Sequence, residues 1–238
     1  MERLAELIRE RGPCVVLTGA GVSTESGIPD FRSPTGIWAD VDPMEYGSLR
    51  AFQADPEKVW SFYAQRIELL TAAEPNDAHY ALAELERRGF VSAVVTQNID
   101  LLHTRAGSRE VVEVHGSIRT ASCPACGDSH PLDESLLPLP RCAHCGAVLK
   151  PDVVFFGELL PRAAIDRAYE LARGTRLLLV IGSSLEVYPV AELPLETVRS
   201  GGSVAIVNRG PTALDGRAVL RIDGSAGETL RKVALELA

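Results

Sequence analysis

Four of the five cysteines form two pairs with the same internal spacing. Cys123 and Cys126 make the first pair, Cys142 and Cys145 make the second, and 15 residues separate the pairs. A C-x2-C pair followed by glycine forms a tight turn that directs two thiolates toward one ion, and two such pairs supply the tetrahedral ligand set of structural zinc. Because four thiolates leave no open coordination position, we expect one structural zinc ion; two disulfide bonds are the alternative.

A second group of chemically capable residues follows short, mostly apolar runs. These runs end in Gly19-Ala20-Gly21, Gln97-Asn98-Ile99-Asp100, His115, Gly182-Ser183-Ser184 and Asn208-Arg209-Gly210. Turn formation explains the glycines and serines, but it does not explain an imidazole, a carboxylate and three amides together. An imidazole that titrates near neutral pH can act as a general base. The first glycine pair could bind a pyrophosphate through backbone N–H groups, although Thr24 replaces the third glycine of the dinucleotide fingerprint.

The apolar runs indicate the elements that position these residues. Near-continuous apolarity is typical of strands buried on both faces of a parallel sheet. Helical patterns lie between several runs, including an apolar stripe at Leu4, Leu7 and Ile8 and a helix capped by Asn76 or Asp77. Strands that alternate with helices predict an α/β fold with a Rossmann-type, doubly wound parallel sheet. Since ligands bind beyond the carboxyl ends of such strands, we expect the polar residues to converge on one cleft.

Two stretches interrupt this alternation and predict a smaller domain. Residues 34–75 are expected to form a helical module, and residues 119–148 a zinc-binding module of the zinc-ribbon type. The Rossmann-type domain is then built from residues 1–33, 76–118 and 149–238.

Composition restricts the class of protein. The chain has 238 residues, 46% of them hydrophobic, and a formal net charge of -8. The hydrophobic content is enough for a substantial core and excludes a disordered chain. The acidic balance argues against a nucleic-acid partner, which requires clustered cations. No apolar run approaches the roughly 18 residues of a membrane span. We therefore expect a cytoplasmic protein with no membrane partner.

Seven segments, taken in order, resemble the motifs of the sirtuin family. They are residues 19–38 (GAGVSTESGIPDFRSPTGIW), 96–100 (TQNID), 114–117 (VHGS), the two cysteine pairs, 150–158 (KPDVVFFGE), 182–189 (GSSLEVYP) and 207–210 (VNRG). The resemblance covers nearly the whole chain. It implies an NAD-dependent protein lysine deacylase, in which NAD and an acylated lysine meet between the two domains. In that reaction nicotinamide leaves and the acyl group is transferred to ADP-ribose.

The resemblance also implies residue roles. His115 is expected to be the general base toward the NAD ribose, and Asn98 a second catalytic residue that holds ribose and nicotinamide together with Asp100. The other residues expected to bind NAD are Gly19, Ala20, Gly21, Thr24, Phe31, Arg32, Trp38, Gln97, Ile99, Gly182, Ser183, Ser184, Asn208, Arg209, Gly210 and Ala226. A substrate peptide is expected to add as a strand between two segments, Val154, Phe155, Phe156 and Gly157 on one side and Glu186, Val187 and Tyr188 on the other.

Tyr63 and Arg66 bear on the choice of acyl group. Their i, i+3 spacing places a phenol and a guanidinium on one helical face, where both can bind one carboxylate. The pair resembles the Tyr-x-x-Arg signature of sirtuins that remove acidic acyl groups, and Gly47 falls where that subclass keeps a small residue. Residues 30–34 (DFRSP) read more like the deacetylase branch. We therefore expect desuccinylation or demalonylation as well as deacetylation, with acidic acyl groups favoured; in the alternative, Tyr63 packs and Arg66 is solvated.

Three other functions remain open at this level. The chain could be a plain deacetylase, or an NAD-dependent ADP-ribosyltransferase that uses the same cleavage of nicotinamide. A non-enzymatic zinc-ribbon interaction module would have no use for His115, Asn98 and Asp100 at strand ends. An ordinary NAD dehydrogenase is disfavoured because the third glycine of its fingerprint is absent.

Overall fold

The computed structural model describes residues 1–31, 33, 36–133 and 137–238. Its strands are β1 (Cys14–Thr18), β2 (Val91–Thr96), β3 (Val111–Glu113), β4 (Gly116–Ser122), β5 (Ser129–Pro131), β6 (Lys150–Val153), β7 (Leu177–Ile181), β8 (Ser203–Val207) and β9 (Leu220–Ile222). Its α-helices are α1 (Glu2–Arg11), α2 (Pro43–Tyr46), α3 (Leu49–Ala54), α4 (Pro56–Ala72), α5 (Asp77–Arg87), α6 (Leu102–Arg105), α7 (Arg162–Gly174), α8 (Leu193–Arg199) and α9 (Ala226–Glu236).

The larger sheet has the strand order β3-β2-β1-β7-β8-β9, and each of these neighbouring pairs is parallel. Strands are added outward from β1 in one direction and from β7 in the other, so the winding reverses between these two strands. This is the doubly wound Rossmann order, and it confirms the predicted fold class. The reversal opens a crevice beyond the carboxyl ends of β1 and β7, which is where such sheets bind ligands.

Both faces of this sheet are covered. Side chains alternate along a strand, so Leu177, Leu179 and Ile181 of β7 pack in one core, with α1, α5 and α9, while Leu178 and Val180 pack in the other, with α7 and α8. All five residues of β7 are buried, and so are all five of β1. A strand buried on both faces needs apolar residues at every position, which accounts for the continuous apolar runs.

The helix predictions agree with the structure at their ends. Asn76 caps α5, because its side chain accepts a hydrogen bond from the backbone N–H of Ala78 at 2.9 Å. Gly89 follows α5 with a φ of +79°, the left-handed conformation in which helices commonly terminate. Leu4, Leu7 and Ile8 of α1 are buried against the sheet as expected.

The smaller part of the fold combines α2, α3 and α4 with an antiparallel sheet of order β5-β4-β6. Val59, Trp60 and Ile67 of α4 pack in one cluster with Ile118 of β4 and Phe155. The Trp60 indole N–H donates to the carbonyl of Leu149 at 2.7 Å, which joins the helical part to the cysteine-bearing part. β4 and β6 belong to this smaller sheet, but both begin inside the residue ranges that the sequence assigned to the Rossmann-type domain. The domain limits drawn from the sequence stay predictions. In the described residues no helix is long and apolar enough to cross a membrane.

Candidate functional site

A cleft of about 840 Å³ lies at the carboxyl ends of the parallel strands and reaches the helical module. Most residues singled out from the sequence line this one cavity. They are Gly19, Ala20, Gly21, Thr24, Phe31, Trp38, Tyr63, Arg66, Gln97, Asn98, Ile99, Asp100, His115, Val154, Phe155, Phe156, Gly157, Gly182, Ser183, Ser184, Glu186, Val187, Tyr188, Asn208, Arg209 and Ala226. Gly210 does not line it, and Arg32 lies outside the described residues. The expected convergence on one cleft is therefore observed, although the role of each residue stays a prediction.

Glycines allow the loops after β1 and β7 to meet at the floor of the cleft. A Cβ on Gly19 would lie 2.8 Å from the carbonyl oxygen of Gly182, and one on Gly21 would lie 2.8 Å from its Cα. Real side chains do not tolerate such contacts, so both positions require glycine. The close approach leaves backbone bare of side chains where the winding of the sheet reverses, between β1 and β7. A pyrophosphate binds to backbone of this kind through N–H groups.

Ser23 joins the two polar residues that follow β2. Its hydroxyl donates to Oδ2 of Asp100 at 2.7 Å and accepts from Nδ2 of Asn98 at 3.0 Å. The same amide nitrogen lies 3.2 Å from the carbonyl oxygen of Gly19. Because these three side chains are at most 7% exposed, the network fixes the Asn98 amide and the Asp100 carboxylate in place.

His115 lies in the turn between β3 and β4, and one of its ring nitrogens is already engaged. Nδ1 is 3.0 Å from the backbone carbonyl oxygen of Gln97. A carbonyl can only accept, so Nδ1 carries the proton in the neutral ring and Nε2 is left as the base. Burial lowers the pKa of His115, and the hydrogen bond to Gln97 partly opposes that shift. The imidazole is therefore a neutral base at pH 7.

Gly116 holds the turn that carries His115. Its φ is +71°, and a Cβ there would lie 2.0 Å from the carbonyl oxygen of Asp152 in β6. The His115 carbonyl accepts from the N–H of Val154 at 2.9 Å, so the turn is tied to the segment that follows β6. The imidazole position thus depends on close packing between β4 and β6.

Tyr63 and Arg66 project from α4 into the same cleft. Burial raises the pKa of Tyr63 well above its ordinary value, which keeps its phenol a hydrogen-bond donor. The Arg66 guanidinium lies 3.2 Å above the ring of Phe62, and Nη1 donates to the Phe62 carbonyl at 2.9 Å. The buried Nε of Arg66 has no hydrogen-bond partner among the described residues. A carboxylate is the group that best satisfies such a donor.

Aromatic stacking connects the surroundings of Tyr63 and Arg66 to the loop after β1. Trp38 stacks on Phe62 with ring centroids 5.4 Å apart, and Phe31 stacks on Trp38 at 6.0 Å. Gly47 lies against the edge of the same indole, because a Cβ there would be 3.2 Å from Cη2 of Trp38. Arg66 therefore adjoins the aromatic residues that were expected to bind the cofactor.

The other end of the cleft is formed by the loop after β8 and the start of α9. The Asn208 amide donates to the carbonyl of Gly210 at 3.1 Å, and Nη2 of Arg221 donates to the same carbonyl at 2.7 Å. Ala226 is the first residue of α9 and is buried at the cleft. The Glu25 carboxylate accepts from the N–H of Gly227 at 3.0 Å, so the loop after β1 also contacts this helix.

The four paired cysteines form the expected cluster. Their sulfur atoms all lie within 4.8 Å of one another, with Cys123 and Cys145 at 3.4 Å and Cys126 and Cys142 at 3.6 Å. A tetrahedral ion with bonds of about 2.3 Å places its sulfurs about 3.8 Å apart, so the cluster fits one structural zinc. The cysteines are thiols and not disulfides. Cys14, the fifth, is fully buried in β1, where desolvation raises its pKa to about 12.

Sequence reasoning missed several buried polar residues. Ser23 lies in the motif at residues 19–38, between Gly21 and Thr24, and this place in the motif was the one feature of the sequence that could have indicated its role. His79 and His103 have ring centroids 4.8 Å apart, and burial lowers the pKa of each. His103 Nε2 is 3.0 Å from the hydroxyl of Thr18, whose side chain also donates to Thr96. Nothing in the spacing of these residues predicts that they meet.

Comparison with known proteins identifies the family. The Sir2 family profile matches residues 19–189, which is more than half of the chain. This chain belongs to the Sir2 family. NAD-dependent protein deacylase 1 of Archaeoglobus fulgidus is 45% identical over 231 residues, covering 96% of this chain and 94% of that protein. NAD-dependent protein deacetylase 1 of Geobacillus kaustophilus is 48% identical over 226 residues, covering 94% and 93%.

A solved Sir2 structure with a p53 peptide and NAD+ superimposes with a TM-score of 0.92 at 42% identity, covering 99% of this chain and 98% of that one. The sirtuin resemblance drawn from the motifs is thereby confirmed, together with the Rossmann-type sheet and smaller domain it implied. The expected cofactors, NAD and one structural zinc, agree with the glycine-lined floor of the cleft and with the four-thiol cluster.

Proposed function

We propose that this Sir2 protein removes acyl groups from protein lysines in an NAD-dependent reaction and that it accepts acidic acyl groups, succinyl or malonyl, in preference to acetyl. One observation carries the first part: His115, Asn98 and Asp100 lie in a single cleft with the paired glycines of the loop after β1. Relatives at similar identity are named deacylase or deacetylase, which supports the deacylase activity and leaves the acyl preference to the chain's own residues.

Bound NAD supplies the ADP-ribose that accepts the acyl group and the nicotinamide that leaves. His115 removes a proton from a ribose hydroxyl with Nε2, since the Gln97 carbonyl holds the ring with the proton on Nδ1. Asn98 and Asp100 bind the ribose and nicotinamide, and Ser23 keeps their polar atoms at fixed positions. Residues 154–157 and 186–188, on the two lips of the cleft, hold the peptide that carries the acylated lysine.

The acidic preference is carried by the free donor of Arg66. Its buried Nε is unsatisfied among the described residues, and the neighbouring Tyr63 phenol stays protonated. An acetyl group offers neither residue an anion, so the Arg66 charge would remain partly desolvated without a partner. A succinyl carboxylate accepts from both side chains and removes that penalty. An extra charge-assisted hydrogen bond contributes about 1.5–3 kcal/mol, or roughly 10- to 100-fold in kcat/KM.

The test compares kcat/KM for acetyl- and succinyl-lysine peptides of the same sequence, with wild type, Arg66→Met and Tyr63→Phe. We expect the wild type to favour the succinyl peptide and Arg66→Met to lose that preference through the succinyl value. Arg50→Met, an exposed arginine of α3 in the same helical module, is the control and should leave both values unchanged. The acidic preference is wrong if it survives Arg66→Met.

A further inference from the structure

The peptide-binding lip at residues 154–157 is a short irregular segment between β6 and α7. Backbone hydrogen bonds hold its inner edge: Val154 N–H donates to the backbone carbonyl of His115 at 2.9 Å, and Phe156 N–H donates to that of Gly47 at 2.8 Å. These bonds connect the lip to the proposed base and to the helical module. They engage the N–H groups of Val154 and Phe156 on the inner side of the lip.

Lys150 and Glu158 close the two ends of this lip. Nζ of Lys150 donates to the carbonyl of Val153 at 2.9 Å and lies 2.9 Å from Oε2 of Glu158. The same carboxylate oxygen accepts from the N–H of Phe155 at 2.7 Å. Lys150 also lies 4.2 Å from the centre of the Phe155 ring. One ammonium group therefore binds the strand before the lip, the residue after it and the ring inside it.

This ion pair differs from the other lysine pairs of the chain. The side chains of Lys150 and Glu158 are 17% and 22% exposed, whereas those of Lys232 and Glu228 are 46% and 59% exposed. An exposed pair contributes little, but removing one partner of a shielded pair leaves a charge without compensation. Loss of the Lys150 ammonium would therefore leave the Glu158 carboxylate without its ion-pair partner.

That carboxylate lies near Tyr63, one of the two residues proposed to bind an acidic acyl group. Glu158 lines the cleft, and its charge is one of the influences that raise the pKa of Tyr63. The Phe155 ring, in contact with Lys150, is 5.2 Å from the Tyr63 ring. An unpaired carboxylate at this place would repel a succinyl or malonyl group and would leave an acetyl group unaffected.

We propose that Lys150 is a positioning residue for the acyl-lysine peptide: its pairing with Glu158 fixes the lip at residues 154–157 and screens the Glu158 carboxylate from an acidic acyl group. The inference rests on the proposed function, because it concerns the substrate of that same site. Loss of Lys150 should therefore weaken the binding of every peptide, because the lip is no longer fixed. It should weaken the binding of peptides with acidic acyl groups further, because Glu158 is no longer screened.

The experiment measures KM and kcat for succinyl and acetyl peptides, KM for NAD, and direct binding of the fluorescently labelled peptides by anisotropy. Lys150→Met should raise the peptide KM and Kd at least about 10-fold, more for succinyl than for acetyl, while KM for NAD stays unchanged. Lys150→Arg should keep the KM and Kd of both peptides near the wild-type values, since a guanidinium can bind the same oxygens. The double variant Lys150→Met, Glu158→Gln should recover the succinyl-to-acetyl ratio but not the full peptide affinity.

Lys232→Met makes the same substitution at the exposed pair and should change none of these quantities. The inference is overturned if Lys150→Met leaves peptide binding unchanged, or if it alters peptide and NAD parameters equally, as a general loss of folding would. It is also overturned if Lys150→Arg is as impaired as Lys150→Met. A wild-type chain that binds the peptides but produces no deacylation would instead contradict the proposed function.

Discussion

Replacing Gly116 by alanine should damage catalysis through the backbone alone. The residue has a φ of +71°, and an added Cβ would lie 2.0 Å from the Asp152 carbonyl oxygen, whereas real Cβ contacts are not closer than 3.0 Å. The strands β4 and β6 must therefore separate by about 1 Å at this point, and His115 is the preceding residue. A displacement of about 1 Å in a reacting group lowers the rate on the order of 100-fold.

Gly89→Ala separates the clash from the conformational strain. Gly89 has a similar φ of +79°, but nothing lies within 4 Å of the position its Cβ would take. Placing an L-residue in this conformation costs about 1–2 kcal/mol, which both variants share. We expect Gly116→Ala to lose a further 1–3 kcal/mol, roughly, from the forced separation of the strands.

The assays are the free energy of unfolding from urea titration and kcat with the preferred acyl peptide. Gly89→Ala should lose stability and keep its kcat; Gly116→Ala should lose more stability and about two orders of magnitude in kcat. Equal stabilities, together with an unchanged kcat in Gly116→Ala, would refute the argument that β4–β6 packing positions the imidazole.

The remaining predictions concern protons and zinc. Because burial lowers the pKa of His115 and the neutral ring is the base, the acid limb of kcat/KM should lie below pH 6.5; a limb above pH 7 would contradict this. Burial lowers the pKa of His79 from 6.5 to about 4, so between these pH values the unfolded chain binds a proton that the folded chain does not, and the free energy of unfolding falls as the pH drops through that window. His79→Gln keeps an acceptor for the Asn76 N–H, and its free energy of unfolding from urea titration should not show the loss between pH 6.5 and 4 that His79 causes. The same pH dependence in wild type and variant would rule out this role of His79. Chelation should remove one zinc per chain, lower Tm and abolish activity, since β4 runs from the turn of His115 to the cysteine turns; a zinc-free chain with full activity would disprove the structural role.

The parallel sheet and the zinc cluster were predictable because their signals are local. A strand buried on both faces requires consecutive apolar residues, and a thiolate pair requires its ligands at fixed short spacing. The convergence of Asn98 and His115 followed from one topological rule, that the carboxyl ends of parallel strands share an edge.

Other features depend on distances that no local pattern encodes. Ser23 meets Asp100 across 77 positions of sequence, and only the folded sheet brings them within 2.7 Å. The Gln97 carbonyl sets the His115 tautomer through the backbone, so the residue type of Gln97 carries no sign of it. The sequence predicted that Arg66 shares a helical face with Tyr63, but its packing on Phe62 depends on rotamers chosen by the surrounding aromatic rings.

The most direct measurement of the central claim is mass spectrometry of the products formed from NAD and a succinyl-lysine peptide, by the wild type and by His115→Ala. Wild-type protein should yield nicotinamide, unmodified lysine peptide and soluble succinyl-ADP-ribose, and His115→Ala should fail to release free lysine. ADP-ribose attached to protein, with the succinyl group still on the peptide, would contradict a deacylase and indicate a transferase.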